Sequence, residues 1–177
     1  MSTLVLLAHP DLSNSRGNAV LAAAAHDLAG VTVHDLHAAY PDGRIDVAAE
    51  QQSVEAHDAI VFQFPLYWYS TPPILKAWQD EVLTIGWAYD PMGAAGTGIA
   101  LKGKTLGCAV TTGAPASEFA AGGWNEHSVE SFLLPIAGTV NFLEMRWRAP
   151  FVAYATFALD DDELARTAAD YQEWLLA

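Results

Sequence analysis

The chain has 177 residues, about one domain's worth, and its 52% hydrophobic and 16% charged residues exclude a disordered tail. Eight Lys+Arg against 21 Asp+Glu give a net charge of −13, which repels nucleic-acid phosphates and anionic membrane surfaces. The single cysteine, Cys108, excludes an internal disulfide and a Cys-x-x-Cys metal knuckle.

The first apolar run, residues 4–8, reads as a strand covered on both faces. It is too short for a signal segment, and no stretch approaches the ~18 apolar residues that span a bilayer, so a soluble cytoplasmic domain over residues 1–177 is expected. A polar turn follows, with Ser13 or Asn14 placed to cap a helix over 18–28 that stops at Gly30. Residues 31–33 form a second strand, 45–57 a weak helix and 59–64 a third strand. Pro72 and Pro73 suit the first turn of a helix whose apolar stripe is Ile74, Leu75, Trp78, Val82 and Leu83. Residues 86–103 hold five glycines and little periodicity, and read as a loop or lid. A fourth strand over 106–110, a helix over 128–137 and a fifth strand over 151–157 follow. Asp160 to Glu163 place negative charge at the start of the last helix, whose inner face carries Leu164, Ala168, Tyr171 and Leu175.

Strands alternating with helices predict right-handed parallel crossovers, and five strands are too few for a barrel. The expected fold is α/β: a doubly wound, flavodoxin-like five-stranded parallel sheet of order 2-1-3-4-5 with helices on both faces. Such sheets bind ligands at the carboxyl ends of their strands, so the loops after strands one, three and four are the candidates. The first, with Ser15, Arg16, Gly17 and Asn18 at a helix start, suits a phosphate. The second carries three consecutive aromatics, Tyr67, Trp68 and Tyr69, which suit a flat ligand or a subunit interface. The third, Thr111-Thr112-Gly113-Ala114, lets backbone N–H groups face a ligand.

Two signals mislead. Residues 98–105 match the P-loop spacing but precede a strand, where a P-loop must follow one. His34 and His37 stand near each other without a third metal ligand, and no metal site is expected.

Taken together, Ala8-His9-Pro10, Ser15-x-x-Asn18, Phe64-Pro65-Leu66-Tyr67-Trp68-Tyr69-Ser70-x-Pro72-Pro73-x-Leu75-Lys76-x-Trp78, Gly86-Trp87-Ala88-Tyr89 and Thr111-Thr112-Gly113 resemble the flavodoxin-like NAD(P)H:quinone oxidoreductases. Tyr40-Pro41-Asp42 and Ile45-Asp46-x-Ala48-Ala49-Glu50-Gln51 bring the likeness nearer to small bacterial ancillary subunits of glutathione-gated potassium efflux systems. The resemblance implies a flavin, FMN rather than the alternative FAD. Its phosphate would lie at His9, Ser15, Arg16, Gly17 and Asn18. Its ring would lie between Leu66, Tyr67, Trp68 and Tyr69 on one side and Thr111, Thr112, Gly113 and Ala114 on the other. It further implies NAD(P)H as co-substrate, a quinone or other planar acceptor, ping-pong hydride transfer, and a homodimer with the site at its interface. A potassium efflux transporter at the inner membrane face is the implied partner. The chain departs from the family at Phe119, where a Tyr is usual, and at Asn125, where a His is usual; His127 or solvent is the candidate proton source in their place. Ala114 replaces a second glycine. A regulatory flavoprotein subunit and a flavodoxin-type electron carrier are the alternatives.

Overall fold

The central strands are continuous apolar runs because helices cover both of their faces. In the computed structural model, which describes residues 2–93 and 98–177, these are β1 (Thr3–Leu7), β3 (Ala59–Pro65) and β4 (Thr105–Thr111). β2 (Val31–Asp35) lies at one edge, and β5 (Arg146–Trp147) and β6 (Phe151–Ala153) lie along the other. All these pairings are parallel, in the expected order 2-1-3-4-5.

One face of the sheet, with Leu4, Leu6, Ile60, Phe62 and Val110, packs with α3 (Val47–Glu55), α4 (Pro73–Val82) and α6 (Leu134–Phe142). The other, with Val5, Val61 and Ala109, packs with α1 (Arg16–His26) and α7 (Asp161–Leu176) through Leu21, Ala25, Tyr171 and Leu175. The acidic start of α7 is a capping box: Asp160 accepts from the Glu163 N–H, and the Glu163 side chain accepts from the Asp160 N–H.

Several local expectations change. Ser15 caps α1, while Ser13 and Asn14 donate to the Asp11 carboxylate at 2.8 and 2.7 Å. A short helix, α2 (Leu36–Ala39), is wound onto the Asp35 cap, too brief for periodicity to reveal. The helix over 128–137 is divided into α5 (Val129–Phe132) and α6, because Pro135 has no N–H to continue the ladder.

The fifth strand starts earlier than expected, ends at Ala153, and is interrupted at Arg148-Ala149-Pro150. Proline is tolerated there because the strand is an edge. Trp174 covers the gap, donating its indole N–H to Ala149 O at 2.9 Å under the Arg148 guanidinium.

The described part of residues 86–103 is fastened to the core and is not a lid over the strand ends. Trp87 donates its indole N–H to Glu55 at 2.6 Å, and the Gly98 N–H bonds to Gly86 O at 2.9 Å. Lys104, the lysine of the P-loop-like match, donates to the carbonyls of Glu55 and His57 at the end of α3.

Candidate functional site

Pairing of Leu7 with Gln63 and of Pro65 with Thr111 brings the ends of β1, β3 and β4 side by side. The loops beyond them, with the β6–α7 connection, enclose a cleft of about 330 Å³.

The start of α1 forms one wall. Ser15 Oγ accepts the Asn18 N–H at 3.2 Å, and the N–H groups of Arg16 and Gly17 have no intrahelical partner, as at any helix start. Asn18 is 1% exposed; its Nδ2 donates to Thr111 Oγ1 at 2.8 Å, and its Oδ1 has no partner. The Thr111 hydroxyl gives as well as takes a hydrogen bond. Turning the amide over therefore keeps that contact and presents N–H groups on the unpartnered side. Behind Asn18, its carbonyl accepts from Gln63 Nε2 at 3.0 Å, and Gln63 Oε1 accepts from the Tyr171 hydroxyl at 3.2 Å. Burial pushes the Tyr171 pKa up, so this hydroxyl stays a donor.

His9 forms the next wall. Burial lowers its pKa from the ordinary histidine range, against the opposing charge of Asp11, so the ring is neutral at pH 7. Its Nδ1 accepts the Asp11 N–H at 3.1 Å, which leaves the proton on Nε2, 3.3 Å from the Tyr67 hydroxyl.

After β3 the chain turns sharply. Tyr67 and Ser70 exchange backbone hydrogen bonds of 3.1 and 3.0 Å, and between them Trp68 and Tyr69 have φ of 47° and 64°. Two consecutive positive φ values mark a type I′ turn, which ordinarily takes Asn-Gly. Here two aromatics occupy it, at a cost of about 1 kcal/mol or more each. Trp68 is consequently 92% exposed, and Tyr69 lies on Phe132 with ring centroids 4.9 Å apart. Replacing the pair by Asn-Gly is expected to raise stability by about 1–2 kcal/mol in urea unfolding while weakening any planar ligand that stacks there. Unchanged or lower stability would show that the turn is not strained.

Of the residues singled out in the sequence, His9, Ser15, Gly17, Asn18, Leu66, Tyr67, Thr111, Thr112 and Gly113 line this cleft. Arg16 does not. Its guanidinium donates to Leu159 O and Asp161 at 2.8 and 2.7 Å, drawn off by the acidic start of α7. The Ala114 carbonyl accepts from the Thr112 hydroxyl at 2.8 Å and the Ala155 N–H at 3.1 Å, outside the lining. Trp68 and Tyr69 do not line the cleft either: Trp68 is exposed, and the Tyr69 ring lies on Phe132. Phe119 is buried against Phe132 and Tyr154. Asn125 gives its N–H to Glu118 O, while His127 is exposed with its ring 6.2 Å from Phe132.

Asp11, Asn14, Thr156 and Phe157 also line the cleft and were not among the candidates. The rule that ligands gather at strand ends, applied to the fifth strand, would have found the last two. Thr156 explains Gly17: a Cβ at Gly17 would lie 2.8 Å from the Thr156 Cβ, so only glycine lets the β6–α7 connection close onto α1.

The profile of the flavodoxin-like fold matches residues 1–175. The chain belongs to that family. Its flavodoxin-like relatives include a glutathione-regulated potassium-efflux system ancillary protein, KefF, from Citrobacter koseri, 42% identical over 98% of this chain and 95% of that one. The solved structure of general stress protein 14 from Treponema denticola in complex with FMN superposes with a TM-score of 0.90 at 42% identity, covering 99% and 98% of the two chains. An NADPH-quinone reductase from P. pentosaceus superposes with a TM-score of 0.87 at 31% identity, covering 98% and 97%.

Proposed function

We propose that this flavodoxin-like protein is an FMN-dependent oxidoreductase that takes hydride from NAD(P)H and reduces a quinone or similar planar acceptor. The observation that carries the reading is the start of α1, where a buried amide with an unpartnered atom, a capping serine and free N–H groups converge on one cleft. These donors suit a phosphate without a cation, since Arg16 is engaged elsewhere. The FMN complex of the 42% identical relative supports the same choice.

In this reading Ser15, the Asn18 amide, the N–H groups of Arg16 and Gly17, and Nε2–H of His9 hold the phosphate. Leu66, Tyr67 and the Thr112-Gly113 backbone frame the ring, with Trp68 and Tyr69 at its exposed edge. Bound there, FMN supplies two-electron hydride chemistry, and the protein supplies orientation and N–H donors toward the negative charge of the reduced ring. Nicotinamide and acceptor would use the one cleft in turn, a ping-pong order.

Phe119 is a core residue with no hydroxyl to offer, which leaves His127 or solvent to supply the proton for the acceptor. The His127 ring lies 6.2 Å from that of Phe132, which in turn carries the Tyr69 ring. His127→Ala is expected to leave FMN affinity unchanged and to slow quinone turnover about tenfold. An unaltered pH–rate profile from pH 5 to 8 would remove His127 from the chemistry.

The exposed Trp68, Trp124 and Phe142 are side chains that a homodimer interface would cover. No described helix is long and apolar enough to cross a membrane. The likeness to KefF supports a second, compatible reading as the regulatory subunit of a potassium efflux transporter. Capture by that transporter's cytoplasmic domain tests it.

The deciding experiment is anaerobic titration of the FMN-loaded protein. Absorbance near ~450 nm should bleach with NADH or NADPH in one two-electron step and return on adding a quinone. Flavin that is bound but inert to both nucleotides would point to an electron carrier. No retained flavin would overturn the reading.

A further inference from the structure

Leu66 forms a wall of the cleft and also of a second cavity of about 220 Å³ between α4 and α6. The second cavity has an apolar floor of Phe64, Leu83, Phe132 and Ile136. Lys76 and Asp80 stand at its rim and pair with each other across one turn of α4, so the rim carries no net charge. Leu83 and Ile136 continue into a narrower slot that reaches Phe62, Trp78 and Met145. Phe132 closes the cavity and also carries the Tyr69 ring of the strained turn. A ring lying against Leu66 would therefore have this space beside it, apolar on its floor and polar at Ser70, Thr71, Gln79 and Thr139, and of the residues assigned to the flavin only Leu66 lines both.

We propose that this cavity receives an apolar side chain of the acceptor, which makes the preferred acceptor a quinone bearing a short alkyl or isoprenoid tail. The inference rests on the quinone-reductase reading above. Two features favour this occupant: the cavity adjoins the cleft through Leu66, and the two charges that line it, Lys76 and Asp80, neutralise each other. The net charge of −13 also discourages anionic acceptors and leaves a neutral, lipid-like quinone unaffected.

The test compares a ring-only quinone with its homologue carrying a five-carbon tail. Each buried methylene group is worth about fourfold, so KM for the tailed quinone is expected to fall at least about tenfold at unchanged kcat. Thr139 lines the cavity and is half-buried, so Thr139→Trp plugs the space from the rim without loading the core. That variant should lose the advantage while keeping ring-only turnover, and Thr139→Ala should retain it. Equal KM values in the unsubstituted protein, or an advantage that survives Thr139→Trp, would overturn the inference. So would a changed oligomeric state of Thr139→Trp in light scattering, which would assign the cavity to a second copy of the chain. If neither quinone is reduced, the reductase reading itself has failed. Calorimetry of the tailed quinone on flavin-free protein then judges the cavity alone: saturable heat absent from Thr139→Trp supports it, and no heat overturns it.

Discussion

Asn18→Asp is expected to lower FMN affinity at least about 100-fold, read by quenching of flavin fluorescence on titration, because like charges brought together in a partly dry site cost several kcal/mol. The substitution is isosteric. The Thr111 hydroxyl donates to the new carboxylate as it would to the amide, so the wall of the cleft keeps its shape. What changes is the unpartnered atom, which becomes a negative charge where a phosphate would sit. Undiminished FMN affinity would move the phosphate away from the start of α1.

Glu50→Ala is expected to destabilise the fold by about 3 kcal/mol, a fall in Tm of about 6–12 °C for a chain of this length. Glu50 is 2% exposed, yet it accepts from Trp78 Nε1 at 2.7 Å, the Tyr40 hydroxyl at 2.6 Å and His34 Nε2 at 2.7 Å. Removing it leaves three donors without an acceptor, the indole deep between α3 and α4. Glu50→Gln keeps one carbonyl oxygen and should lose less. An exposed salt bridge would give a loss under 1 kcal/mol, which is the outcome that would reject this account.

The same cluster makes the difference depend on pH. Burial raises the Glu50 pKa, but the donors outweigh it and hold the carboxyl below the ordinary glutamate value of 4.5. Its contribution is therefore present above pH 4.5 and is lost as pH falls through the folded-state value. The hydrogen bond to Glu50 raises His34 above the ordinary 6.5 against its burial. That contribution is complete below pH 6.5 and is lost as pH rises through the folded-state value. The gap between the two proteins should be widest between pH 4.5 and 6.5 and narrower on either side.

Glu50 shows where reading the chain alone stops. In sequence it is an ordinary polar residue of a weakly patterned helix. Its burial follows from Tyr40, His34 and Trp78, which arrive from a loop, a strand and another helix. Arg16 is a similar case: next to Ser15 and Asn18 it looks like a phosphate ligand, but Asp161 lies 145 residues away in sequence and 2.7 Å away in space. The interrupted fifth strand went unrecognised because β5 is two residues long, below any period.

The sequence by itself determined the parallel strand order, most helix starts and the three loops that meet at the strand ends. Those features are written in local patterns: apolar runs, capping residues, and glycine or proline where the chain must turn. Only the tertiary structure decided which side chains of those loops face the cleft. It also decided that Thr156 and Phe157 join them, that Gly17 must stay bare, and that a second cavity opens beside Leu66. Each of these depends on contacts between segments far apart in the chain, and no local pattern encodes the distance across a packed interface.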